Sequence, residues 1–258
     1  MAEVNAGLPA VVTTPPVPAS APEPAPVVGE MTLVEHLVEL RNRIFKMALA
    51  ILIGSIVGFV FGDAIIAILK APIPGGKPLF YTELAGAFMI HVKIALVVGV
   101  ILGMPVILYQ GWAFIAPGLT DKERRVSLPW IPAALFFFVL GVGIAYFILP
   151  YAAGFLVGFS SDALQPLITA ESYFDFVTTL FLVFGLILQF PIILYALALV
   201  GILSSKRLVG ARRQAILGMA IFAAVITPGG DIVSPTALFL TMWALFEGTI
   251  FVIRRTGK

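Results

Sequence analysis

Two carboxylates, Glu39 and Glu123, stand in short polar stretches of an otherwise apolar chain of 258 residues. They are the groups best placed to meet a ligand, and each also has a plainer use. Glu39 precedes Arg43 by four residues, so a surface i,i+4 ion pair worth only about 0.3–0.5 kcal/mol is open to it. Glu123 closes Thr120-Asp121-Lys122-Glu123, a capping-box pattern in which the glutamate reaches back to the N-cap amide. Capping and ligand binding are both open at that position. Gln189, Glu247 and Lys93 lie within long apolar stretches, where a polar group is expensive. Gln189 suits an interhelical hydrogen bond or the lining of a pocket. Glu247, seven residues before Arg254, suits a pair with Arg254 or Lys258, or a contact to a neighbouring subunit. Lys93 suits a pair with Glu83 or Asp175.

Other chemistry is poorly provided for. The chain has no Cys, which removes thiol catalysis, disulfides and Cys-ligated metals. Its two histidines, His36 and His91, fall on different segments and make a poor metal site. Ser55, Thr178 and Thr179 have no His or acid at matching depth. The residues point to recognition and packing rather than catalysis, and neither a metal nor a cofactor is expected.

The elements that must carry these residues follow from hydropathy. Six apolar stretches cover roughly 44–62, 87–109, 128–149, 173–200, 214–226 and 236–253. A bilayer needs about 20 apolar residues per spanning helix. Each span must satisfy its own backbone, so the fold class is an all-α polytopic membrane protein. Twelve of the sixteen Lys and Arg fall before the first stretch or after the second, fourth and sixth, and a thirteenth, Lys46, lies in the opening turn of the first. The positive-inside rule then gives six transmembrane helices with both termini cytoplasmic. A net charge of +2 carried on span flanks is no nucleic-acid signature.

Around the spans, residues 1–30 hold seven prolines and no basic residue. They are expected to form a disordered, partly polyproline tail before a membrane domain over 31–258. Thr32 to Glu35 fits a capping box, and Leu33, Leu37, Leu40 and Ile44 form an apolar stripe. This predicts a short amphipathic helix in the interface, running into the first span. Trp112 to Leu119 reads as an apolar, aromatic turn. Residues 63–86, with Pro72, and 150–172 read as two long outer connections that together brace the spans. Internal prolines (Pro105, Pro129, Pro132, Pro191) predict kinked helices and an open, concave arrangement. The fifth span is short for a bilayer of about 30 Å. Its rim, Thr227 to Pro235, is rich in Gly and Pro. That mismatch marks Met219, Phe222, Thr227, Asp231 and Ser234 as candidates for contact with a partner.

The motifs resemble those of the TatC family, the large polytopic subunits of the twin-arginine translocase. His36-Leu37-Val38-Glu39-Leu40-Arg41-Asn42-Arg43 is similar to the family's HLxELRxR opening. Pro105 to Gln110, Trp112 to Leu119 and Glu123-Arg124-Arg125 are similar to its first cytoplasmic loop. Phe184-Gly185 with Pro191 resembles its FG…P element, and Thr227-Pro228 with Asp231 its TPxD turn. The resemblance covers about residues 31 to 253. It implies a receptor for signal peptides carrying paired arginines, in a machine that moves folded proteins across the bacterial inner membrane with the protonmotive force. It further implies single-span TatA/TatB-type partners and other TatC copies. Carried over position by position, Glu39 and Glu123 hold the two arginines, with Phe114 and Arg41 in the same motifs. Guanidinium forks pair bidentately with carboxylates and ammonium groups do not. Many family members have a Glu where this chain has Gln189, a departure that argues against a proton-linked role there; the two readings of Gln189 stay an interhelical hydrogen bond and the polar floor of a pocket for the signal peptide or a partner helix. A secondary transporter of a small solute is the alternative, but the two halves show no internal repeat.

Overall fold

A computed structural model describes residues 33–73, 76, 78–120, 124–125, 127–161, 167–199, 201–227 and 230–255. The expectations for the tail 1–30, Thr32, Glu123, Pro228 and Lys258 lie outside the described residues. Nine α-helices are described: α1 Leu33–Val60, α2 Gly62–Lys70, α3 Gly86–Ile115, α4 Trp130–Val157, α5 Ala170–Ile187, α6 Phe190–Leu199, α7 Ser205–Gly210, α8 Arg212–Ile226 and α9 Val233–Arg255. Five stretches among the described residues are long and apolar enough to cross a membrane. They are Val34–Val60, Gly86–Gly118, Trp130–Val157, Ala170–Ala198 and Val233–Arg255. The protein is therefore an all-helical, multi-pass membrane protein. The expected fifth span forms α8, whose 15 residues reach about 22 Å at 1.5 Å per residue. That is shorter than the other five.

Several expectations need correction. The amphipathic segment does run into the first span as expected, and the two form one continuous helix, α1, because nothing between Leu33 and Val60 breaks the ladder. Trp112 to Leu119 is mostly not a turn: α3 runs on to Ile115 and a 3-10 turn covers Ala116–Gly118. The connection expected from residue 150 starts later, since α4 passes through Pro150 to Val157. Pro129 sits just before α4, and Pro132 lies in its first turn. There a missing amide costs little, so these prolines start the helix rather than kink it. The fourth span is interrupted at Leu188 and Gln189, and Pro191 is the second residue of the helix that restarts it.

Packing explains the small residues. α1 and α3 run antiparallel in a register that holds along their length. Gly58 faces Val98, Gly54 faces Gly99, and Arg43 faces Gln110. Without a hydrophobic drive between helices in lipid, close backbone approach supplies the attraction, and small residues permit it. α3 also meets α4 and α5. At the α4–α5 crossing Phe138 and Phe184 are fully buried, and a Cβ on Gly185 would lie 2.7 Å from the Phe138 ring. The Phe184-Gly185 pair is thus a packing element. α9 joins the other half of the molecule, meeting α8, α6 and α4.

At the end opposite His36, the two outer connections touch as expected. Phe80 N–H donates to Ile168 O at 3.2 Å, and Ala170 N–H donates to Phe80 O at 2.6 Å. Tyr173 ties this end to α2 by donating its hydroxyl to Leu69 O at 2.7 Å. Pro72 stands in the turn after α2, half-buried beside the buried Ile73. Thr169 starts α5 as its N-cap, accepting from Ser172 N–H at 3.3 Å.

Candidate functional site

Helical spacing assembles a polar cluster between the start of α1 and the end of α3. His36, Glu39 and Arg43 lie at i, i+3 and i+7, one face of α1. Gln110 and Phe114 lie one turn apart on α3. The register of the two helices brings these faces together. Arg43 Nε donates to Glu39 Oε1 at 2.9 Å, and the Arg43 NH2 group donates to the same oxygen at 2.5 Å. The remaining Arg43 terminal nitrogen, NH1, donates to Gln110 Oε1 at 3.1 Å. Gln110 is buried, while Glu39 and Arg43 keep about a fifth of their side-chain surface exposed, at 20% and 19%. The His36 ring stacks on Phe114 with centroids 4.3 Å apart and planes 21° apart. His36 Nδ1 lies 3.8 Å from Glu39 Oε2. That second oxygen is enclosed and has no hydrogen-bond donor among the described residues.

The plainer reading of Glu39, an i,i+4 pair with Arg43, is thus present in the structure. It is more than a surface pair, because a buried amide on another helix anchors the arginine. Phe114 joins the cluster. Arg41 does not join it among the described residues: it is exposed, and its NH2 group donates to Asn42 Oδ1 at 3.5 Å. Glu123 lies outside the described residues, but the segment just after it is tethered nearby. Trp112 Nε1 donates to Ser127 Oγ at 3.0 Å, and Arg124 lies 6.0 Å from the Trp112 ring centroid.

Gln189 belongs to a different part of the molecule. It is buried where the fourth span is interrupted, and its Nε2 donates to Ala134 O of α4 at 3.0 Å. Its Oε1 has no partner among the described residues. The interhelical hydrogen bond is what the geometry displays. A cavity of about 210 Å³ near α4, α6 and α9 is lined by Trp130, Phe137, Pro191, Tyr195 and Gly248 among others, and Gln189 is not part of its wall.

The charged pairs resolve one way each. Lys93 pairs with Asp175, one of its two expected partners. Glu247 pairs with Arg212 of α8 rather than with Arg254. Arg254 follows it on the same helix, whereas α8 runs alongside α9 and delivers a guanidinium directly. Asp231 Oδ1 accepts from Ser234 N–H at 2.5 Å and so caps α9. Asp231 and Ser234 are both buried, as is Met219. These three cannot present side chains at the surface. Phe222 and Val225 are exposed, and Thr227 Oγ1 donates to Ala223 O at 2.7 Å.

Gln110 was not singled out on sequence grounds. The available signal was a lone amide one turn before Phe114 in a long apolar helix. The pair formed by His91 Nε2 and Asp63 Oδ1, 3.1 Å apart, joins α2 to α3 and was equally unforeseen.

Comparison with known proteins places this geometry. A family model described as TatC, Sec-independent protein translocase protein, matches residues 35–240. The Sec-independent protein translocase protein TatC of Carboxydothermus hydrogenoformans is 38% identical over 226 residues, covering 87% of this chain and 93% of that protein. The TatC protein of Escherichia coli K12 is 34% identical over 227 residues, covering 86% and 88%. A crystal structure of the twin-arginine translocase receptor TatC superimposes with a TM-score of 0.75 at 34% identity. It covers 87% of this chain and all of the other.

Proposed function

This chain belongs to the TatC family of Sec-independent protein translocase proteins, and from that membership we propose that it is the twin-arginine signal-peptide receptor of its translocase. It is a protein-transport component of the membrane, not a catalyst of covalent chemistry. In the proposed reading, Glu39 takes one arginine of the peptide and Glu123, carried on the segment after α3, takes the other. The observation that carries this reading is the Glu39 cluster, in which a carboxylate already holds a guanidinium and keeps one oxygen without a donor. A second arginine source of the same chemistry is what such a carboxylate suits.

The rest of the reading is proposed on the same footing. The short helix α8 counts as a sixth crossing, both termini face the cytoplasm, and the spans form an open concave arrangement in the bacterial inner membrane. Single-span TatA/TatB-type subunits and further TatC copies complete the machine, which moves folded cargo with the protonmotive force. The outward face of α8, with Phe222 and Val225, is the surface offered to a single-span partner, since a helix shorter than the bilayer is eased by packing against protein.

Expression of this chain with its own partner subunits, in a bacterium deleted for TatC, tests the reading. A folded fluorescent reporter with a twin-arginine signal is expected in the periplasm, and the twin-lysine version in the cytoplasm. Export of neither reporter, with the chain correctly inserted, would overturn it.

A further inference from the structure

Glu39 is held asymmetrically, and the cause lies on another helix. Arg43 spends two N–H groups on Glu39 Oε1 and a third on Gln110 Oε1. Gln110 is buried in α3, a different helix from the one that carries Glu39 and Arg43. With NH1 on Gln110, Arg43 sets Nε and NH2 on one oxygen of Glu39 rather than one on each. Oε2 is left without a donor among the described residues, with Nδ1 of the half-exposed His36 ring 3.8 Å away. An enclosed carboxylate oxygen without a donor is costly, so it is a standing acceptor for any donor that displaces the ring.

We propose that Gln110 is a positioning residue for signal-peptide recognition: it anchors Arg43 to one oxygen of Glu39 and so reserves the other oxygen for an arginine of the peptide. The proposal rests on the receptor reading above and deepens it. Arg43 itself shows how specificity arises, since it places Nε and NH2 on a single oxygen. An incoming guanidinium can set two N–H groups on Oε2 in the same way. The N–H groups of an ammonium diverge and cannot. Loss of Gln110 lets Arg43 satisfy both oxygens itself, which closes Glu39 to the peptide.

The test uses the full chain in lipid nanodiscs, with fluorescent twin-arginine and twin-lysine peptides. Gln110→Leu is expected to weaken twin-arginine binding roughly tenfold, the scale of a hydrogen bond to a charged group, and to leave twin-lysine binding within twofold. Gln110→Glu keeps an acceptor for Arg43 and should retain most of the discrimination. Added to Glu39→Ala, Gln110→Leu should cost nothing further, because it acts through Glu39. Equal weakening of both peptides by Gln110→Leu, or an additive loss in the double variant, would overturn the relay while leaving a sensitive Glu39→Ala to support the receptor. If Glu39→Ala binds the twin-arginine peptide normally, the receptor reading and the relay fall together.

Discussion

Gly54 and Gly99 meet backbone to backbone. A Cβ built on Gly54 would lie 2.9 Å from the Gly99 carbonyl oxygen, and one on Gly99 would lie 2.6 Å from the Ile51 carbonyl. This contact sets the spacing and register of α1 against α3. The same register puts Arg43 beside Gln110 about three turns further along, and His36 on Phe114 a turn or two beyond that. The Glu39 cluster at one end of the pair therefore depends on glycine packing in its middle, and so does the recognition proposed there.

It follows that Gly54→Val should force the helices apart and destabilise the protein by about 1–3 kcal/mol, the usual cost of overpacking. It should also weaken binding of a twin-arginine peptide, although Gly54 touches none of the cluster. Thermal unfolding in detergent and a peptide titration check both effects. Gly111, whose Cβ would meet nothing within 4 Å, is the control, and Gly111→Ala should change neither.

Gln189→Leu removes the donor to Ala134 O. An interhelical hydrogen bond of this kind is worth about 0.6–2 kcal/mol in a membrane. The melting temperature should fall by a few degrees, and peptide binding should persist because Gln189 lies away from the Glu39 cluster. Abolished peptide binding in a stable Leu variant would show that the interruption of the fourth span takes part in recognition.

Arg212 and Glu247 join α8 to α9. Both are partly exposed, at 44% and 32%, so the pair contributes about 1 kcal/mol or less. Arg212→Glu and Glu247→Arg should each lower the melting temperature slightly, and the exchanged pair should recover it. No recovery in the double variant would mean that the pair does not hold α8 in place.

The helix α8 offers one face to the core and one outward. Met219 and Ala223 are buried, whereas Phe222 and Val225 are exposed. The chain has no native cysteine, so single cysteines report cleanly. Phe222→Cys and Val225→Cys should form disulfides with cysteines in a single-span partner, and Met219→Cys should not. Efficient crosslinking at Met219 would place the partner between α8 and α9, against the packing observed.

Sequence legibility followed the physics of each feature. Hydropathy locates the long helices because lipid demands long apolar runs, and it catches α8 as the short one for the same reason. Helix ends are less legible. Pro150 carries no mark in the sequence distinguishing it from a helix breaker, and only packing keeps α4 going to Val157. The Glu39–Arg43 pair is visible from i,i+4 spacing, but Gln110, 67 residues away from Arg43, is not. Periodicity along one helix carries no register against another. For Glu247 the nearest basic residue along the chain was the wrong partner, since Arg212 reaches it across a helix interface. Asp231 reads as an exposed turn residue, yet it is buried as a cap, because a helix start must satisfy its own amides.

The central claim is that Glu39 reads an arginine as an arginine. The most direct measurement is the affinity of the purified full chain for a twin-arginine peptide and its twin-lysine counterpart, with and without Glu39→Ala. The parent chain should bind the twin-arginine peptide at least about tenfold more tightly, as loss of a charge-assisted pair implies. Glu39→Ala should erase most of that ratio without unfolding the protein. Equal affinities in the parent chain, or an unchanged ratio in Glu39→Ala, would contradict the account.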